Sequence, residues 1–281
     1  MMNFKFFTSI SFLVSSSMLN AFTFNQALDY VEKFKKEYGK HYSYTEKDLH
    51  GNKKNGENEN TYFLTNIQSN RNFAKKYINK NLCDKVVSNK VVTSCYNFNL
   101  KSVTKVSYVV DKTNVYKLNI KKRPNWHYNL KIPKKYRANN NDYVRSSFDK
   151  GHLAFDSAFD FNKKVLFDTF DLNINAVPMT KKVNRYTWRK LESYTKRIAN
   201  NLGYLQVIDF IVFNKKGHIK TIGKNRISIP KGFYKILINK NENFLECYYY
   251  ENKKNVNVRN DKLSDHNVKC KKVFNLMLRK L

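Results

Sequence analysis

The chain has 281 residues, 41% of them hydrophobic and 15% aromatic, which is enough to bury a core and excludes a disordered polyelectrolyte. Lys and Arg number 53 against 22 Asp and Glu, a formal net charge of +31, so polyanions are the natural partners: nucleic acid, anionic membrane or cell-wall polymer. Charge does not choose among them, because the accompanying wealth of Lys, Asn, Tyr and Phe is also what an A/T-rich genome produces.

Residues 1–21 carry a basic start at Lys5, an apolar stretch and the small residue Ala21, the pattern of a cleavable secretory leader. A membrane anchor is the competing reading, but Thr8, Ser9, Ser11 and Ser15 to Ser17 interrupt a stretch already marginal for spanning. Export to a periplasmic or extracellular location is therefore expected, with no membrane insertion after cleavage. An oxidising compartment favours disulfides among the four cysteines. Three pairings are possible. The neighbour pairing, Cys83 with Cys95 and Cys247 with Cys270, closes the shortest loops, each constraining the unfolded chain by about 3 kcal/mol. A zinc site would need closer pairs such as CxxC, and none occurs.

Phe24, Ala27, Leu28, Val31, Phe34 and Tyr38 fall at helical spacing, with Asn25 as a cap and Gly39 as a stop. Residues 50–60 are almost without apolar side chains and are expected to form a mobile linker. A second helix is expected from about Tyr62 to Asn81. Residues 22–84 thus form a helical extension, and a core domain is placed at 85–281.

From Lys85 onward, VVSNKVVTSCYNF, KVSYVVD and VYKLNI are rich in Val and Tyr and broken by polar turns, as antiparallel strands are. Residues 184–201 predict a helix, because Trp188, Leu191, Tyr194 and Ile198 recur three or four apart. Strands return at YLQVIDFIVF, FYKILI and FLECYYY. Strands, an embedded helix, then strands again is an α+β arrangement.

Chemistry concentrates between Arg123 and Glu192. Asp149, Lys150, Gly151 and His152 form a DKGH run; a glycine before the histidine suggests an imidazole presented at a chain reversal, and a pKa near neutrality suits a general base. Further on stands N-x-x-x-W-x-x-L-E, with Asn184, Trp188, Leu191 and Glu192. Positions i, i+4 and i+8 share nearly one helix face, so Asn184 and Glu192 could look into one site. Amide and carboxylate oxygens are hard donors of the kind magnesium uses when it keeps most of its water shell.

Together these elements resemble the DNA/RNA non-specific endonuclease family, the ββα-metal, endonuclease G-like nucleases. The family pattern is DRGH, a strand, an N-x-x-P segment and the helix N-x-x-x-W-x-x-L-E. Here the corresponding text is FDKGHLA, NAVP from Asn175 to Pro178, and NRYTWRKLE, with further likeness in RPNWHYN, YRANNNDYVRSSF and ISIPKGFYKILI. The chain departs in Lys150 for the usual arginine, in Met179 where glutamine is common, and in lacking a glycine-proline turn after the strand near Ile211.

The resemblance implies a ββα-metal core with an antiparallel sheet and an embedded catalytic helix, cutting DNA and RNA without reading bases. It implies His152 as the base that deprotonates an attacking water. Asn184 would be the one direct protein ligand of Mg2+, for which Mn2+ could substitute, and Glu192 would act through a metal-bound water. Arg123 is the candidate phosphate clamp, with Arg137 and Arg145 as alternatives. Asn175 is expected to support the site and Asp149 to orient a neighbour. Lys150, Arg137, Arg145 and Arg185 are candidates to hold the substrate backbone. The rival from another class is a secreted, non-catalytic polyanion-binding protein on the same scaffold.

Overall fold

The computed structural model describes residues 71–78, 80–117 and 119–278. The expected leader, the helix from Phe24 and the linker at 50–60 lie outside these residues.

The described chain opens in a helix, α1 (71–77). Strands β1 (Lys85–Ser88), β2 (Thr93–Asn97) and β3 (Ser102–Asp111) follow as an antiparallel meander. Beyond them come the short helix α2 (Asn140–Tyr143), strand β4 (Phe148–His152), helix α3 (Lys163–Thr169) and strand β5 (Ala176–Thr180). A π-helical turn, Val183–Thr187, leads directly into α4 (Trp188–Leu202). The remainder is β6 (Tyr204–Val212), β7 (Thr221–Ile222), β8 (Ile227–Ser228), β9 (Gly232–Asn239), β10 (Phe244–Glu251) and α5 (Cys270–Met277).

Six strands form one antiparallel sheet in the order β1-β2-β3-β6-β9-β10, while β4 pairs with β5 alone and β7 with β8. The sheet is covered on both faces, and the alternation in YLQVIDFIVF shows how. Leu205, Val207 and Ile211 join Trp188 and Leu191 of α4 in one core, whereas Ile208 and Phe210 join Phe73 of α1 and Val273 of α5 in another. Side chains alternate across a strand, so a single sequence of apolar residues fills two cores. The cysteines pair as Cys83–Cys95 and Cys247–Cys270, the second joining β10 to α5.

Three expectations are corrected. VYKLNI contributes no strand among its described residues: Asp111 Oδ1 accepts from the Thr113 amide and hydroxyl, and the Asp111 carbonyl accepts from Asn114 and Val115, so the chain turns instead. The helix expected from residue 184 begins as a π turn. Gly151 lies inside β4, opposite Val177, and not at a reversal.

Candidate active site

Residues of β4, Asn184 of the π turn and the chain segments around Trp126 and α2 line one open groove of about 410 Å³. Trp126, Tyr143 and Phe148 line its aromatic side, and Asp149, Lys150 and Asn184 its polar side.

His152 ends β4, paired with Ala176. The glycine before it is required by packing: a Cβ on Gly151 would stand 2.6 Å from the Met179 Cβ, closer than two carbons approach. The His152 ring lies between Trp126, 4.4 Å away by ring centroids, and Phe170, 4.7 Å away edge-on. Burial among these rings lowers its pKa to about 4, with Asp156 opposing the shift and Arg123 reinforcing it. The imidazole is therefore neutral at physiological pH, not poised near neutrality as an isolated histidine would be. Its Nε2 is buried and has no hydrogen-bond partner among the described residues.

The backbone after His152 is clamped on both sides. Asn175, fully buried, accepts from the Ala154 amide at 2.8 Å and donates to the Ala154 and Thr169 carbonyls, each at 2.8 Å. The Leu153 carbonyl accepts from the Tyr108 hydroxyl at 3.1 Å and from Lys235 Nζ at 3.4 Å. Asn175 thus acts on the peptide backbone that carries the histidine.

Asn184 and Arg185 sit in the π turn, a feature frequent at functional sites. Asn184 Nδ2 donates to Asp149 Oδ2 at 3.1 Å, and Arg185 forks onto the same carboxylate at 2.8 and 2.9 Å. Burial would raise the Asp149 carboxyl, but these hydrogen bonds hold it below its ordinary value. With its amide nitrogen committed, Asn184 keeps its carbonyl oxygen as a hard donor for a divalent cation. Among the described residues no group of three or more His, Cys, Asp and Glu gathers as a metal cluster, so a cation here would rest on a sparse donor set.

Glu192 lies about one turn into α4, roughly two turns beyond Asn184. Burial raises its carboxyl to about 8, opposed by Lys235 and reinforced by Asp156 and Asp209. Lys235 and Asp209 are a fully buried ion pair at 2.7 Å, facing each other across β9 and β6. The ammonium also lies 4.6 Å over the Trp188 ring. This pair touches both halves of the site, the Leu153 carbonyl beyond His152 and the helix that carries Glu192. Sequence reasoning passed over it; the signal was there as one acid in YLQVIDFIVF and one lysine in FYKILI, each on the core-facing alternation.

The candidate arginines separate. Arg123 is within electrostatic reach of His152, but its guanidinium is engaged by Asp156 at 2.6 Å, Asp160 at 3.1 Å and the Ile120 carbonyl. Arg137 donates to the Ile132 and Leu130 carbonyls and braces its own loop. Arg145 is exposed on a residue with positive φ. Lys150, whose pKa burial lowers, and Arg185 are the candidates placed at or beside the groove.

Residues 68–277 match the family model for DNA/RNA non-specific endonucleases. The chain is 33% identical over 111 residues to mitochondrial endonuclease G of Homo sapiens, covering 37% of each chain. It is 29% identical over 117 residues to the mitochondrial nuclease of Saccharomyces cerevisiae, covering 38% of this chain and 36% of that one. The alignments thus span less than two-fifths of these relatives. A crystal structure of an EndoG/EndoGI complex superposes with a TM-score of 0.59 at 23% identity, over 67% of this chain and 81% of that one. With the family model matched from 68 to 277 and a ββα site of this geometry, the chain belongs to the DNA/RNA non-specific endonuclease family.

Proposed function

We propose that the protein is a secreted, Mg2+-dependent endonuclease that hydrolyses phosphodiester bonds of DNA and RNA. The observation that carries this reading is His152: a neutral imidazole, fixed between two rings, whose Nε2 is without a partner among the described residues and whose ring packs on Trp126, a wall of the groove that also holds Asn184. Such a nitrogen can take a proton from water attacking phosphorus. Asp149 orients Asn184 so that its oxygen can hold the cation, and Glu192 would hold a water on it. A bound Mg2+, or Mn2+ in its place, would neutralise charge on the phosphate and the departing 3′ oxygen. Lys150 and Arg185 supply positive charge for the backbone, and the net charge of +31 raises local substrate concentration.

Export is supported by the leader-like residues 1–21 and by two disulfides, which persist in oxidising compartments. Among the described residues no helix is long and apolar enough to cross a membrane.

The decisive experiment is nicking of supercoiled plasmid and cutting of RNA with Mg2+, Mn2+ or a chelator. Cleavage that depends on metal is expected. Tight binding of both polymers with no cleavage under any metal would instead establish the polyanion-binding reading.

A further inference from the structure

The groove beside the catalytic strand is built for more than a phosphate. Phosphate recognition uses donors and positive charge, yet one wall here is Trp126, Tyr143 and Phe148, and Val144 stands 63% exposed at its edge. Its volume of about 410 Å³ is that of a small-molecule site.

Two residues of this wall carry a buried polar atom whose hydrogen bonding is incomplete. Asn140 Oδ1 and the Tyr143 hydroxyl are buried without a hydrogen-bond partner among the described residues, and both residues line the groove. The Asn140 amide nitrogen is already committed, at 3.3 Å to the Trp126 carbonyl and 3.4 Å to the Tyr128 hydroxyl, so the acceptor side is the one that remains. Buried polar atoms left unpaired in a native protein call for a ligand or water.

We propose that this groove is a nucleobase subsite. The base of a nucleotide adjoining the cleaved phosphodiester lies against Trp126 and Phe148, and its edge meets Asn140 and Tyr143. Every base presents a π-face to an aromatic wall, and each carries an amino or imino donor for Asn140 beside a polar atom for the Tyr143 hydroxyl. Lys150 and Asn184, on the polar side of the same groove, place the phosphate next to the base. A base held this way has left its stack, so single strands suit the site better than intact duplex. The inference rests on the nuclease reading of the site.

The chain has two tryptophans, and Trp188 is fully buried, so quenching of the accessible indole reports on Trp126. Titration of the full protein in Mg2+ would compare the four nucleoside 5′-monophosphates with ribose 5-phosphate, which carries the sugar and phosphate alone. Base-bearing ligands should quench and bind at least about tenfold more tightly. Tyr143→Phe and Asn140→Ala should each reduce that ratio about threefold or more. Tyr143→Phe removes only a hydroxyl with no partner among the described residues, so its melting temperature should hold within about 2 °C.

Equal binding of ribose 5-phosphate would assign the unpaired atoms to sugar hydroxyls and overturn the base subsite, as would a ratio unchanged in both variants. Plasmid nicking by the wild type, run alongside, separates the two readings: nicking without base preference sinks the subsite alone, and base preference without nicking sinks the nuclease reading alone.

Discussion

His152 and His266 both lie against aromatic rings, and their surroundings differ in their hydrogen bonds. His266, in the segment after β10, stacks on Tyr250 at 3.7 Å; its Nδ1 is 3.0 Å from the Tyr249 carbonyl and its Nε2 2.7 Å from Asp261. His152 is held by Trp126 and Phe170 and leaves Nε2 unpartnered among the described residues. Both rings are fixed in place. Of these two, His152 keeps the unpartnered nitrogen, and saturation marks His266 as a histidine that holds the fold; His127, stacked on Phe167, also has an unpartnered Nδ1 among the described residues, and His152 differs from it in packing on Trp126 of the groove.

Substitution of each tests the contrast, and the largest effect belongs to His152. His152→Ala should lose about 10² to 10⁴ in cleavage rate while keeping its fold and its affinity for DNA. Turnover within a few-fold of wild type in a folded protein would sink the assignment. The pH profile sharpens this point. With a pKa lowered to about 4, the acid limb that disappears in the variant should be centred nearer pH 4 than the ordinary imidazole value of about 6.5. Stability carries the same signature. The folded state resists protonation that the unfolded chain accepts, so stability is lost as pH falls from about 6.5 to about 4, by at most about 3 kcal/mol. Acid titration of the melting temperature in wild type and His152→Gln measures that slope, which should flatten in the variant.

Next in size is the carboxylate behind the proposed metal ligand. Asp149→Ala removes the partner that orients Asn184, and apparent Mg2+ affinity or activity should fall about 10- to 100-fold, as for outer partners of metal sites. Asn184→Ala should fall at least as far and recover in part at high metal. An unchanged Mg2+ requirement in both variants would remove Asn184 from the mechanism.

His266→Ala should show the opposite profile to His152→Ala. It leaves Asp261 short of a partner and should cost about 1 to 3 kcal/mol in denaturant unfolding, with turnover per folded molecule unchanged. Loss of turnover beyond the loss of folded protein would erase the distinction between the two histidines.

The smallest effect concerns the loop that feeds β4. Ser147 has φ of 66°, in the left-handed region where a side chain is strained and glycine is not. Ser147→Gly should be neutral or stabilising by up to about 1 kcal/mol, read as an unchanged or slightly raised melting temperature; a clear loss would show that the serine side chain holds the loop.

Much of this was legible in the sequence, because some patterns have few structural solutions. The alternation in YLQVIDFIVF and FYKILI marks β6 and β9, and the two close cysteine couples match the observed disulfides. The residues Asp149, His152, Asn175 and Asn184 converge on β4, β5 and the helix after them, the ββα unit that the motif spacing suggested. What stayed hidden depends on distant partners. Nothing in NRYTW reveals a π turn, since side-chain periodicity is blind to one extra residue per turn. Gly151 is explained by Met179 across the hairpin, and VYKLNI turns because Asp111 satisfies its amides. Trp126 becomes a groove wall only when its segment, well upstream of the DKGH run, comes to lie beside it.

The buried pair of Lys235 and Asp209 also bears on how this chain can change over generations. Removing one partner of such a pair costs about 3 to 5 kcal/mol, whereas exchanging both for apolar residues is often neutral. Against a total stability of about 5 to 15 kcal/mol, either single step removes between about a fifth and all of it. The two positions are therefore expected to drift together, across a valley in fitness, and the charge pair that touches Leu153 and Trp188 ties the evolution of β6 to that of β9.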